Sequence, residues 1–187
     1  MRMGKFMDMY ELITCRHSAR KYKKEVVSAE DIEKIIDAGL AAPSGGNTQP
    51  WHFTVIENEQ VKAELVDGCK NAFLNSGIDW RINWAKLETF NPFYDPSVII
   101  VISNNNMVDK SNEDCCFAIQ NMVLMAEALG LSSCIIRDIC WAINKENQNK
   151  YGIPKDFDCF MCVSVGYAAV KNTRKKNLDC FKVNHIN

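Results

Sequence analysis

The sequence predicts one α+β domain in which helices cover a central sheet. Two segments carry that expectation, and the element order supports it. The run Ser97-Val-Ile-Ile-Val-Ile102 is β-branched and apolar on both faces, as expected for a strand in the middle of a covered sheet. Residues 112–131 place Phe117, Ile119, Met122, Val123, Met125, Ala126 and Leu129 over most of one helical surface. A helix apolar that far round is buried in a core or in a subunit interface. Helical and strand-like segments are mixed along the chain without a repeat, a low-complexity block or a Gly/Ser-rich linker. That order fits helices packed on a sheet. With 187 residues, 47% hydrophobic and 24% charged, the chain is bounded to one domain, 1–187, with a real core.

The elements follow in order. Asp8 is placed to cap a first helix running towards Cys15, with Leu12 and Ile13 on its buried side. Ser28-Ala-Glu-Asp31 has the form of a helix start, with two acids in the favourable first turn. Ile32, Ile35, Ile36, Leu40 and Ala41 then keep helical spacing until Pro43, whose ring ends the helix. A polar loop leads into the strand Trp51-His-Phe-Thr-Val-Ile56, and residues 59–69 read as a short helix. Residues 70–95 hold Phe73, Trp80, Trp84, Phe90, Phe93 and Tyr94 without a sustained period. After the two segments named above, Gly130 stops the long helix. A strand at residues 133–136, a short helix near residues 144–151 and a strand at residues 159–165 complete the reading. The tail 171–187 is polar and basic, suited to pack on a partner.

Charge and composition exclude whole classes. Lys+Arg number 22 against 23 Asp+Glu, a net charge of −1, so nothing draws nucleic acid or an acidic membrane in bulk. No apolar stretch approaches the roughly 20 residues that span a bilayer. The first residues lack the apolar run of a signal peptide, and the expectation is a soluble, cytoplasmic protein. Nine cysteines (Cys15, Cys69, Cys115, Cys116, Cys134, Cys140, Cys159, Cys162 and Cys180) are odd in number and read as reduced thiols acting as small hydrophobes. Only Cys159 and Cys162 have CxxC spacing, in a strand rather than at a helix start. His17, His52 and His185 are scattered, and no metal site is expected.

Two segments hold the polar chemistry. Arg16-His17-Ser18-Ala19-Arg20-Lys21 packs two guanidiniums, an imidazole and a hydroxyl into five residues. That set suits a phosphate, whose oxygens accept several charge-assisted hydrogen bonds; a solvated basic helix end is the plain alternative. Ala42-Pro-Ser-Gly-Gly-Asn-Thr-Gln-Pro-Trp51 lies between a helix and a strand. Its glycines permit close backbone approach, and Ser44, Asn47, Thr48 and Gln49 offer hydrogen bonds. A polar turn is the plain alternative here.

Taken together, RHSARKYK from Arg16, the segment through APSGGNTQPW, AIQNMVLMAEALGLSSC, Val163-Ser-Val-Gly-Tyr167 and Arg174-Lys-Lys-Asn-Leu178 resemble the flavin-dependent nitroreductase family. The resemblance covers nearly all of the chain outside residues 70–95. It implies a three-layer sandwich with a central, mainly antiparallel sheet, assembled as a domain-swapped homodimer with FMN in a cleft made by both subunits. It implies electron transfer from NADH or NADPH through FMN to a small-molecule acceptor, a nitroaromatic, quinone or similar compound, in a ping-pong cycle. On this resemblance Arg16, His17, Ser18 and Arg20 surround the flavin phosphate, ribityl chain and pyrimidine edge, and Ser44 and Asn47 face the ring. Ile135 and Ile136 run along it, and Arg174 or Lys175 returns to the phosphate. Arg20 is the candidate for stabilising reduced flavin, whose charge gathers near N1 and O2. No protein side chain is needed as nucleophile or base, because the flavin carries the electron chemistry.

This sequence departs from many relatives in having Ile135-Ile-Arg-Asp138 where they have a Gly-Gly pair, and in lacking a proline after Tyr167. Six of the 18 aromatics fall in the 26 positions 70–95. They form either a satellite core or a lid over the flavin, with Trp80 and Trp84 one helical turn apart and Gly45 and Gly46 also bordering the acceptor. Competing functions are a narrower activity such as reductive dehalogenation or flavin fragmentation, and a non-catalytic flavin store or redox sensor.

Overall fold

The computed structural model describes residues 8–170 together with 183, 184 and 186. Helices α1 (Met9–Cys15) and α2 (Ala29–Leu40) precede strand β1 (Trp51–Ile56). Helices α3 (Glu59–Leu74) and α4 (Asp79–Ala85) lead to β2 (Val98–Asn105), α5 (Ser111–Ala128), β3 (Ser132–Ile136) and β4 (Phe157–Gly166). The strands form one sheet in the order β1-β2-β4-β3, every neighbouring pair antiparallel.

The caps at Asp8 and Ser28 form where the sequence places them, and the structure adds one at Asn58. Asp8 accepts from the Glu11 amide, Ser28 from the Asp31 amide and Asn58 from the Val61 amide, each satisfying an otherwise orphaned donor. The doubly apolar run divides as its alternation requires. Val98, Ile100 and Ile102 enter one core with α2 and α5, and Ile99 and Val101 enter a second with α3 and residues 90–93. The result is three layers, with β2 and β4 in the middle of the sheet and their hydrogen bonds shielded from water. Each fully buried Ile or Val contributes about 1.5–3 kcal/mol relative to an exposed one.

The structure corrects several boundaries. Helix α3 runs five residues beyond Cys69, because Leu65, Cys69 and Phe73 recur at intervals of four and all point into the second core. Residues 144–151 do not form an α-helix. Asn144 Oδ1 accepts from the Glu146 and Asn147 amides, and Asn147 bonds back to Asn144 N and Ala142 O. These side chains compete with helical hydrogen bonding and leave only a 3-10 turn at Gln148–Tyr151. Ile13 and Leu40 are exposed rather than buried. Phe117 of α5 is also exposed. No described helix is long and apolar enough to cross a membrane.

Candidate functional site

The basic segment after α1 is held in place by backbone pairing to the sheet edge. Ser18 and Ser133 form a parallel bridge, and the Ala19 amide donates to Ser133 O at 2.9 Å. Further on, Lys23 N donates to Tyr167 O at 2.8 Å and Ala169 N to Lys21 O at 2.9 Å. Ala19 and Tyr22 turn inward as anchors, and the Tyr22 hydroxyl donates to Ser164 O at 3.2 Å. Burial keeps that hydroxyl protonated by raising its pKa.

Residues 16, 17, 18 and 20 therefore cluster around the point where the chain pairs with Ser133 of β3. Their electrostatic reach shows where they converge. Burial raises the Cys134 thiol pKa, while the Arg20 guanidinium, a hydrogen bond from Ser18 and the Arg16 guanidinium work against that rise. At the end of α5, burial raises the Glu127 carboxyl pKa, opposed by His17 and then Arg16. His17 Nε2, Ser133 Oγ and Glu127 Oε2 are buried without a hydrogen-bond partner among the described residues. Buried polar atoms are seldom left unpaired. Two guanidiniums beside an unpartnered imidazole nitrogen and an unpartnered hydroxyl suit a group rich in oxygen acceptors, a phosphate above all.

The loop after α2 is tied by its own hydrogen bonds and differently placed. Gly45–Asn47 forms a 3-10 turn, and Gly46, Asn47 and Gln49 adopt left-handed backbone (φ 57°, 56° and 46°), which Gly and Asn tolerate best. Ser44 Oγ accepts from the Gln49 amide, and Asn47 Oδ1 from the Gln49 side chain. The Gly45 amide donates to both carboxylate oxygens of Asp114, at 3.1 and 3.2 Å. Gly45, Gly46 and Asn47 remain exposed.

Asp114 lies in the first turn of α5, whereas Glu127, beside Arg16 and His17, lies next to its last residue. They are thirteen positions apart along the helix, about 20 Å. Within the chain the SGGN loop and the RHSAR segment sit at opposite ends of α5.

The other expected contacts are distributed as follows. Ile135 projects outward from β3, whereas Ile136 is buried in the second core and offers only its backbone at the edge. Trp80 and Trp84 lie on α4 and stack at 6.5 Å. Trp84 is packed against Phe73 and Phe90 at 5.9 and 5.0 Å, while Trp80 is more than half exposed. Through Phe73 this group touches Trp141, in the 3-10 turn Asp138–Trp141 that follows β3. Arg174 and Lys175 lie outside the described residues.

A separate cavity of about 290 Å³ opens between α3 and residues 91–97. Its buried Lys62 ammonium is already held by Glu59, Pro96 O and Ser97 O, which makes it a structural tie.

Sequence reasoning missed Asp114, Glu127 and Ser133 as parts of these two sites. Asp114 carried a readable signal: it falls in phase with Ser111, Cys115 and Ala118 on the buried stripe of α5. A carboxylate on such a stripe needs a partner. Glu127 and Ser133 carried none.

Comparison with known proteins agrees with this fold. A protein of Archaeoglobus fulgidus, provisionally named an NADH dehydrogenase/NAD(P)H nitroreductase, is 31% identical over 84% of this chain and 83% of its own length. An iodotyrosine deiodinase of Thermotoga neapolitana is 29% identical over 67% of this chain and 71% of its own. The crystal structure of a Bacteroides fragilis nitroreductase with bound FMN superposes with a TM-score of 0.88, at 29% identity, over 95% of this chain and 98% of that one. The family model of the nitroreductases matches residues 13–167. That span runs from α1 through the strand-edge cluster and the SGGN loop to the end of β4, and the chain belongs to the nitroreductase family.

Proposed function

We propose that this protein is an FMN-dependent oxidoreductase that passes electrons from NADH or NADPH to nitroaromatics, quinones or similar acceptors. The observation that carries the reading is the cluster Arg16, His17, Ser18 and Arg20, pinned to β3 at Ser133, with His17 Nε2 and Ser133 Oγ buried and unpartnered among the described residues. A flavin phosphate and pyrimidine edge supply the oxygen acceptors that this cluster lacks. Bound FMN would supply the electron-transfer chemistry, accepting from the nicotinamide and giving to the acceptor in two half-reactions.

The residues then have distinct tasks. Arg16, His17 and Ser18 bind and orient the anionic arm. Arg20 places a fixed positive charge where reduced flavin gathers negative charge, which stabilises the reduced form. The edge backbone at residues 135–137 lies along the ring, and Trp80 of α4 borders the acceptor. Ser44, Gly45, Gly46 and Asn47 sit at the far end of α5 and meet the same flavin by crossing a two-fold axis. That arrangement requires a homodimer. The exposed apolar side chains Met9, Tyr10 and Ile13 of α1 and Phe117 of α5 supply surface for it.

The deiodinase likeness favours a second reading, in which the acceptor is a halogenated aromatic and the halide leaves on reduction. Anaerobic mixing of the FMN-loaded protein with NADH or NADPH tests the leading function. Rapid bleaching of the flavin followed by reoxidation with a nitroaromatic or a quinone is expected. A flavin that stays oxidised would mean a flavin store. Reoxidation by halotyrosine alone would select the second reading.

A further inference from the structure

We propose that Cys140 and Cys159 are a peroxide-responsive dithiol that closes to a reversible disulfide beside the β3 edge. The proposal is independent of the flavin reading, because it rests on how β4 is built. On a regular strand Cys159 and Cys162 would face opposite sides. In β4 the register slips: Met161 opposes Ile102 and Cys159 opposes the next residue, Ser103, so Phe160 is an extra residue. The bulge turns Cys159 onto the same face as Cys162, in the core beneath α3.

Cys140 enters the same core from the 3-10 turn Asp138–Trp141. Its sulfur lies 3.9 Å from the Cys159 sulfur, and the carbonyls of Cys159 and Phe160 accept from it at 3.2 and 3.0 Å. The bulged backbone thus aims one sulfur at the other. A disulfide needs about 2.05 Å between them. The remaining shift of about 2 Å falls on a one-turn 3-10 segment and a bulge, both outside regular hydrogen-bond ladders. Cys140 and Cys159 are each partly exposed, unlike Cys69 and Cys162, which are fully buried.

The contact with Cys159, and then the Arg137 guanidinium, hold the Cys140 thiol below its ordinary pKa, while Cys159 is pushed up by the same contact and by burial. Cys140, partly exposed on a one-turn segment next but two to Arg137, is the attacking sulfur. Its thiolate attacks hydrogen peroxide, the O–O bond breaks, hydroxide leaves and Cys140 becomes a sulfenic acid. The Cys159 sulfur, losing its proton, then displaces the Cys140 hydroxyl as water, forming the S–S bond. The balance is two thiols and one peroxide to one disulfide and two waters. A dithiol reductant reverses it by exchange.

Tandem mass spectrometry on tryptic peptides of the purified, cofactor-bound protein, after treatment with hydrogen peroxide and alkylation, decides the question. The peptide of residues 138–145 is expected linked to that of residues 156–171, two hydrogen masses lighter than the sum, with fragments assigning the bond to Cys159. Dithiothreitol should abolish the linkage. Cys162→Ser should retain it, and Cys159→Ser should lose it and accumulate oxidised Cys140. A link through Cys162, or Cys140 oxidised to sulfinic acid in the wild-type chain without any cross-link, would overturn the proposal.

Discussion

Replacing Asp114 by Ala tests how the SGGN loop is held. Asp114 is 5% exposed, and both its carboxylate oxygens accept from the single Gly45 amide at 3.1 and 3.2 Å. The loop it tethers carries three left-handed residues, two of them within the short 3-10 turn Gly45–Asn47. Losing a hydrogen bond to a charged group costs about 1.5–3 kcal/mol. In a chain of this size each kcal/mol lowers the melting temperature by about 2–4 °C, so Asp114→Ala should melt about 3–12 °C lower. Asp114→Asn keeps an acceptor oxygen but not the charge, and should lie between the two. Differential scanning calorimetry on protein stripped of flavin separates this effect from cofactor binding. Flavin absorbance of the purified variant then gives the second readout, reduced FMN occupancy from a loosened loop. An Asp114→Ala protein that melts with the wild type and carries full flavin would refute the tether.

Three further outcomes follow from the same geometry. Trp84→Ala should lose about 3 kcal/mol, the low end for a large aromatic, because its ring is wedged between Phe73 and Phe90. Chemical denaturation reads that loss. Trp80→Ala should leave stability nearly intact yet shift kcat/KM unequally between nitroaromatic and quinone acceptors, and equal shifts would remove Trp80 from the acceptor side. For Glu127, burial raises the folded pKa above the unfolded value. The folded state then holds the proton more tightly, so stability contributed below the unfolded pKa is lost as pH rises through the folded pKa. Melting temperatures of the flavin-free protein against pH should fall above the ordinary carboxyl range, and Glu127→Gln should flatten that fall; an unchanged slope in the variant would point to another group.

The fold was legible wherever one physical rule dominated locally. Caps at Asp8 and Ser28, the β2 run and the α5 stripe each follow from side-chain chemistry within a few residues. Residues 144–151 were misread because asparagine side chains can replace backbone partners, and their spacing looks helical until those bonds are seen. Ile13 was misread because its place in the pattern says apolar face without saying whose core covers it. The strand-edge cluster was visible as a crowd of cations. Its pairing with Ser133 and its proximity to Glu127 are long-range, and no periodicity encodes them. The bulge at Phe160 was equally silent, since an extra residue leaves the apolar run of β4 unchanged.

The central claim is that one flavin is held by the Arg16–Arg20 row of one protomer and the SGGN loop of its partner. Subunit complementation tests it most directly. Arg16→Ala chains carrying one affinity tag are co-expressed with Ser44→Ala/Asn47→Ala chains carrying another, and the doubly tagged heterodimer is isolated. Each homodimer has a lesion in both of its sites and should purify with little flavin. In the heterodimer the two lesions fall together in one site and the other site is wholly wild type, so flavin absorbance should return to about one FMN per dimer. If both segments serve the flavin of their own protomer, every site keeps a lesion, and a heterodimer as pale as either homodimer would contradict the account.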